Sequence, residues 1–532
     1  STSRRQRQMC IRDRYYKADD RQAYADVMAN INKRFGDLSL SANIGGSFTQ
    51  TYYDERGFQG GLKDMSNVFS LYNMTTTLDK DTYPIESGYK QRTNSIFASA
   101  EIGWKSMLYM TLTGRNDWDS ALINTEQSSF FYPSIGLSGV ISEMVKLPKA
   151  ITYLKVRGSF ASVGAPIPKN LSSNKTYEWD PATSQWKLQT YRPLPKLYPE
   201  RTNSWEAGLN AKFFNNSLSL EVTWYKANTR KQTFQVPLSG TAVYATMYAQ
   251  SGNIENKGME FSLGYNKSWG DFSWNSNLTF SFNKNKIVEL LDDAVDDEGN
   301  HYSLSEIDKG GIGSAKVILR KGGSMGDMYV TNRLKRDNEG NVYIDKASQN
   351  VKKEDIKNSD EFIHIGSVLP KSNLGFRNDF SYKGISLGFM LAARFGGIVI
   401  SPTQAVMDQF GVSKVTALAR DNEGVPVNNG KVDPQTYYTE VGGISGLMSN
   451  YVYSATNVRL QELSVGYSLP AKWFNNKCNL SLSITGHNLW MIYNKAPFDP
   501  EATASTGTYY QGVDYFMQPS LRSWGFNVKI QF

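Results

Sequence analysis

Apolar and polar residues alternate with period two along most of the chain, the signature of strands with one apolar and one polar face. In 38–44 the apolar set is Leu38, Leu40, Ala42 and Ile44, interleaved with Ser39, Ser41 and Asn43. In 217–224, Leu218, Leu220, Val222 and Trp224 alternate with Ser217, Ser219, Glu221 and Thr223. The chain closes on Trp524, Phe526, Val528, Ile530 and Phe532, set against Ser523, Gly525, Asn527, Lys529 and Gln531. Similar stretches recur near 93–104, 107–115, 133–145, 150–163, 202–214, 255–268, 271–284, 370–382, 385–397, 455–468 and 478–485. They predict about sixteen strands, many of 10–14 residues, longer than the usual five or six. A tilted strand needs about 9–11 residues to cross a bilayer.

Short turns are predicted at Lys105-Ser106, Phe214-Asn215-Asn216, Trp269-Gly270, Tyr382-Lys383-Gly384 and Asn475-Asn476. Long polar connections alternate with them at 53–90, 164–200, 285–368 and 398–453. Short turns on one rim and long loops on the other are the layout of an outer-membrane barrel. A soluble sandwich or propeller also alternates, with its apolar face turned inward. Strand length favours a lipid-facing apolar stripe. So does a polar face rich in Ser, Asn, Thr, Lys and Arg. Aromatics near strand ends (Trp104, Tyr109, Trp224, Tyr225, Trp274, Trp490) suit interfacial girdles.

Composition narrows the classes further. Mean hydropathy is −0.46, and the most apolar stretch, 385–400, contains Arg394 and three glycines, so no helical membrane span is predicted. With 13% aromatic and 20% charged residues, the chain is not a disordered one. Two cysteines, Cys10 and Cys478, cannot build a disulfide scaffold or a structural zinc site, and His301, His364 and His487 lack metal-ligand spacing.

The formal net charge of +8 invites a nucleic-acid reading until its source is examined. Residues 4–13 translate, codon for codon, the transposase adapter CGT CGG CAG CGT CAG ATG TGT ATA AGA GAC. Residues 1–14 are therefore read as an adapter-derived segment and 15–532 as native. The segment's five Arg and one Asp supply half of the formal charge, and what is left is too diffuse for nucleic-acid recognition. This reading expects the gene to extend upstream.

Particular words carry a family resemblance. LYMTLTGRNDWDSAL at 108–122, FFYPS at 130–134 and LKVRGSF at 154–160 resemble the mid-barrel of SusC/RagA-type TonB-dependent transporters. So do PERTNSWEAG at 199–208 and GNIENKGME at 252–260, and, nearer the C-terminus, VRLQELSVGYSLP at 458–470, GHNL at 486–489 and FDPE at 498–501. The resemblance implies an all-β, transmembrane antiparallel barrel, part of a 22-stranded wall in the bacterial outer membrane. It implies import of glycans or peptides with a SusD-like surface lipoprotein, energised by TonB-ExbB-ExbD. The plug domain, the TonB box and about six strands of such a barrel find no match here. Two other readings stay open: a soluble or surface-attached β-rich carbohydrate-binding protein, and a passive porin or adhesin barrel.

Catalytic motifs are lacking: no G-x-S-x-G, P-loop or dinucleotide fingerprint occurs, so no enzyme is expected. Asp117 with Asp119, and Asp499 with Glu501, resemble glycosidase carboxylate pairs but sit inside family words, where fixing loops is the simpler role. Five acids crowd 292–298; the spacing is not an EF-hand, and a solvated loop is expected rather than bound calcium. No other cofactor is expected. Asp337-Asn-Glu-Gly340 and Asp421-Asn-Glu-Gly424 read as turns, and His487 as a lumen-facing hydrogen-bonding residue. Flat aromatic faces in long loops suit stacking on sugars or peptides. The expected substrate contacts are Tyr177, Trp179 and Trp186 together with Tyr509 and Tyr510, with Tyr244/Tyr248 and Tyr437/Tyr438 as further clusters. Phe532 is read as a barrel-assembly signal.

Overall fold

The structure is a computed structural model of the 532-residue chain. It describes residues 12–65, 68–75, 82–123, 125, 127–167, 171, 177–180, 185–188, 191–192, 198–237, 246–295, 301–475, 477–505, 507 and 510–531. Fifteen strands follow one another in chain order as a single antiparallel wall. They are β1 Arg12–Phe35, β2 Leu38–Gly61, β3 Tyr83–Trp104, β4 Leu108–Asp119 and β5 Ser129–Val140. Next come β6 Ile151–Ala165, β7 Glu200–Phe213, β8 Leu218–Pro237, β9 Thr246–Trp269 and β10 Phe272–Glu289. The wall ends with β11 Ser372–Tyr382, β12 Ile385–Phe395, β13 Asn457–Ser468, β14 Asn479–Asn494 and β15 Ser523–Gln531. A sixteenth strand, Tyr191–Arg192, lies parallel to β9 at Thr246 and Met247.

The register keeps polar and apolar residues on opposite faces from strand to strand. One apolar row runs Leu154, Ala211, Leu220, Leu263, Leu278, Phe376, Leu391 and Leu460. On the other face Asn30, Asn43, Ser99, Thr113 and Ser134 are successive partners, as are Thr223, Glu260, Ser281 and Asn373. A one-residue slip would exchange the faces. Among the described residues no protein layer covers the apolar face: Ile135, Leu137, Trp205, Met259 and Ile484 are 41–57% exposed. A soluble sandwich buries that face against a second sheet.

Several strands outrun the 10–14 residues expected, with β1, β2 and β9 at 24 each. The apolar stripe on β8 stops at Trp224, and the same face then carries Lys226, Asn228 and Arg230. On β10 it runs from Phe272 to Phe282 before Lys284 and Lys286. Backbone pairing does not depend on the apolar stripe, so the ladders continue beyond it. This corrects the predicted loop at 53–90: β2 and β3 stay paired until Gln59 meets Tyr83. The segment expected as strand at 133–145 stops at Val140, where a single helical turn, Ile141–Met144, begins. Arg12, Asp13 and Arg14, within the adapter-derived reading, pair with Gly61, Gly60 and Gln59.

Successive connections alternate between the two rims, as antiparallel succession requires: the seven on one rim are no longer than ten residues, and the five longest all lie on the other. The tightest turns use left-handed residues, among them Lys105, Ser106, Phe214, Asn215, Asn216, Gly270 and Gly384. At the opposite rim, the connections 290–371, 396–456 and 495–522 share one core. Val317, Leu319, Met328, Val368, Ile400, Met448 and Val513 are fully or almost fully buried there. A four-stranded sheet of Glu306–Ile312, Ala315–Arg320, Asp327–Val330 and Ile363–Ser367 forms its framework. Three two-turn helices complete it: α1 Pro402–Gln409, α2 Lys414–Asp421 and α3 Pro434–Val441. Ser401, Ser413 and Asp433 cap them through the backbone N–H groups of Gln404, Thr416 and Thr436.

Leu319→Ala should destabilise this lobe by about 2–5 kcal/mol while the wall stays folded. The check is limited proteolysis: cleavage within 290–371 should accelerate, and the sheet circular dichroism should not change.

Candidate functional site

The polar face of the wall bounds a cavity of about 720 Å³ formed by β6 to β11. Its charged lining includes Arg157, Glu206, Glu221 and Glu260. Arg157 Nη2 donates to Glu221 Oε1 at 3.0 Å and to Thr223 Oγ1 at 2.7 Å. Farther round the same face Arg115 Nε donates to Asp117 at 2.7 Å, and Arg115 Nη2 to Ser95 at 2.7 Å. Tyr132 also donates to Asp117. Toward the C-terminal edge Arg377 bridges Asp379 (2.9 Å) and Glu462 (3.3 Å), and His487 Nδ1 lies 3.8 Å from Glu462. His487 therefore does belong to the polar face. Pairing of this kind, within and between strands, keeps the surface charged and wettable.

At the long-loop rim, three family words converge on one buried cation. Arg459 is 4% exposed. Its Nη2 donates to Asp499 Oδ1 and lies against Glu501 Oε2, both at 3.0 Å, and its Nη1 donates to Asn488 Oδ1 at 3.2 Å. Asn457 Nδ2 donates to Glu501 at 3.3 Å, and Ser520 Oγ to Asp499 at 2.6 Å. Two register shifts in the β13–β14 ladder, at Val458/Arg459 and Leu460/Glu462, accompany this centre. Asn488 sits at φ +54°, a conformation Asn tolerates better than most residues. The Asp499–Glu501 pair is thus a clamp on the 495–522 loop. Burial alone would raise the Asp499 carboxyl, but Ser520, the Glu501 N–H and Arg459 together hold it below the usual carboxylate range.

Asp117 and Asp119 also fix structure. Asp119 caps the turn at Ser120–Leu122 through Ala121 N–H (2.8 Å) and accepts from Thr93 at 2.6 Å. Asp337 accepts from the backbone N–H groups of Glu339 and Asn341, with Gly340 at φ +86°. The first repeated word is a turn; the second, Asp421-Asn-Glu-Gly424, instead ends α2, where the Gly424 N–H donates to the Ala419 carbonyl at 2.9 Å.

The aromatic candidates separate. Tyr177–Asp180 and Gln185–Leu188 pair as a hairpin in which Trp179 and Trp186 are direct partners, and Trp186 is 67% exposed. Tyr510 donates to the Lys309 carbonyl at 3.2 Å, joining the 495–522 loop to the lobe sheet. Tyr509 and Tyr244 lie outside the described residues, as does Phe532. Tyr248 packs against the buried cluster of Ala121, Leu122, Phe130, Ile167 and Leu171. Tyr437 and Tyr438 face inward, edge-on at 5.2 Å, with Tyr438 9% exposed; they fill the lobe rather than line a cavity. The acidic run reaches Leu291–Val295 as a short strand, and 296–300 lie outside the described residues. Among the described residues no group of three or more His, Cys, Asp or Glu could hold a metal.

Residues 2–317 match the family described as TonB dependent receptor-like, beta-barrel. The chain belongs to the TonB-dependent receptor β-barrel family. The TonB-dependent receptor P3 of Formosa agariphila is 26% identical over 541 residues, covering 94% of this chain and 51% of that protein. The TonB-dependent receptor SusC of Bacteroides thetaiotaomicron is 22% identical, covering 84% and 44%. Among solved structures, the RagAB peptide transporter superposes with a TM-score of 0.71 at 19% identity, over 98% of this chain and 56% of that one. The chain spans about half the length of the curated relatives it matches. Family membership accounts for a wall of this extent with long connections gathered at one rim.

The lumen network and the Arg459 centre were not among the sequence candidates. The signal available was a basic residue inside a strand word, with acids in a separate word downstream.

Arg459→Ala should cost about 3–5 kcal/mol by leaving Asp499 buried without its cation. Loosening of 495–522, read by hydrogen exchange, checks it. Because the Asp499 pKa is lowered on folding, its contribution is complete above the unfolded value near 4 and is lost as pH falls through the folded one. Exchange of 495–522, corrected for intrinsic rate, should therefore rise below about pH 4 in the wild type and respond far less in Asp499→Asn.

Proposed function

We propose that this chain forms the C-terminal part of the barrel wall of an outer-membrane, TonB-dependent importer of glycans or peptides. The observation that carries the reading is the two-face pattern kept from strand to strand, with its apolar face exposed and its polar face bounding a charged cavity. An exposed apolar band about 10 residues tall suits hydrocarbon, and the polar face suits a water-filled lumen. The SusC relative and the RagAB neighbour favour a large substrate and a SusD-like lipoprotein partner at the long-loop rim. Function in this reading is selective binding followed by gated passage, driven through TonB-ExbB-ExbD, without bond chemistry. The hairpin bearing Trp179 and Trp186, and the Tyr509–Tyr510 segment, offer substrate faces on that rim. Phe532 completes the aromatic alternation of the last strand as an assembly signal, and residues 1–14 are read as adapter-derived.

The full-length protein should partition into detergent and migrate faster on gels unheated than boiled; a monodisperse, water-soluble product would end the barrel reading. Phe280→Arg, in the middle of the apolar stripe, should destabilise insertion into vesicles by about 2–4 kcal/mol, whereas Thr279→Arg, facing the lumen, should be tolerated. Replacing Trp179, Trp186, Tyr509 and Tyr510 together by Ala should raise the half-saturating substrate concentration for uptake about tenfold. Unchanged uptake would remove these residues from the substrate path.

A further inference from the structure

The short-turn rim concentrates positive charge. The first turn carries Lys33 and Arg34, the second Lys105, the third Lys146 and Lys149. Lys212, Lys267 and Lys383 stand at the next three, and Lys472 with Lys477 at the last. Counting each turn with three flanking residues on either side, these ten cations face three acids, Asp37, Glu143 and Asp271. The rim therefore nets +7, whereas residues 15–532 as a whole net +4, so the remainder of that span is negative. All ten cations are exposed. Among the described residues, two of them have an acid in salt-bridge reach: Lys105 with Asp37 (3.6 Å) and Lys383 with Asp271 (4.0 Å).

Their height on the barrel is marked by aromatic rings on the apolar face. The Lys105 ammonium lies 5.2 Å from the Trp104 ring, Lys267 5.7 Å from Trp269 and Lys383 5.4 Å from Tyr382. Those rings are 43–49% exposed, at the last outward position before each turn. An aromatic at the end of a lipid-facing stripe sits at headgroup level, and a lysine beside it extends its charge into the same layer.

We propose that this rim is a binding surface for anionic phospholipid headgroups, the lysines meeting lipid phosphates while the aromatics pack beside the acyl-chain boundary. Charge complementarity argues for this partner: one or two exposed cations at each of seven successive turns match many separate phosphates better than one compact acidic protein. The proposal rests on the membrane-barrel reading.

The test uses the full-length protein reconstituted with phosphatidylcholine alone or with added phosphatidylglycerol. A second protein carries Lys105→Gln, Lys146→Gln, Lys149→Gln, Lys267→Gln, Lys472→Gln and Lys477→Gln. Both are first checked for heat-modifiable migration. If the wild type lacks it, the barrel reading fails; if both keep it, lipid binding is judged separately. Native mass spectrometry should then find phosphatidylglycerol retained preferentially by the wild type, and the variant's preference should fall about tenfold. Equal preference in the two proteins overturns the proposal. So does a wild type that retains phosphatidylcholine equally well, or one whose rim instead captures an acidic periplasmic protein through the same lysines. If the six-fold variant does not assemble, Lys472→Gln with Lys477→Gln, confined to one surface turn, gives the same readings at smaller amplitude.

Discussion

The wall depends on one constraint: every backbone N–H and C=O that faces hydrocarbon must be paired within the sheet. Long antiparallel ladders meet it, and their period of two then decides where each side chain goes. Because the register carries the same phase from strand to strand, with Leu263 opposite Leu278 and Leu278 opposite Phe376, a single apolar surface forms on one side. The partner residues three positions along, Glu260 with Ser281 and Ser281 with Asn373, form a polar one. The lumen is a consequence of this register. Its arginines need no separate core: Arg157 reaches Glu221 and Thr223 two strands away, Arg115 reaches Asp117 on its own strand and Ser95 on the next, and Arg377 reaches Asp379 and Glu462.

The long-loop rim obeys different physics. Three connections far apart in sequence bury one another's apolar residues in water, much as a small soluble domain does. Polar links seat them: Ser401 Oγ donates to Asp514 at 2.6 Å, Ser314 Oγ to the Gly446 carbonyl at 3.2 Å, and Arg459 ties the last loop to the β13–β14 pair. The side of the barrel read here as meeting substrate is therefore ordered by its own hydrophobic cluster and anchored through buried charge. Breaking one of those links leaves an uncompensated group inside a low-dielectric site, so loop order and wall geometry are coupled at Arg459.

Much of the wall was legible because a strand's side-chain phase is a local property. The alternations at 217–224, 271–284 and 478–485 all became strands, and the turns at 105–106, 214–216 and 383–384 fell where left-handed residues allow them. The boundary misplaced at 53–90 has a physical cause. At 53–90 the apolar alternation fades while the backbone ladder continues, and periodicity reports the side chains alone. Tyr437 and Tyr438 were misjudged for a related reason: an aromatic in a polar loop reads as exposed unless the loop has a core of its own, and this one packs on Val351, Val441 and Leu447.

By itself the sequence determined strand content, the two-faced pattern, the sequence of short and long connections, and the words that place the chain in its family. These are encoded by residues near one another in the chain. The tertiary structure alone decided that the apolar face stands exposed among the described residues, that Arg459, Asn488, Asp499 and Glu501 meet, and that the basic turns line one rim. Such facts arise from pairing over tens to hundreds of residues. No local pattern contains them, because only a settled register fixes which distant side chains share a face.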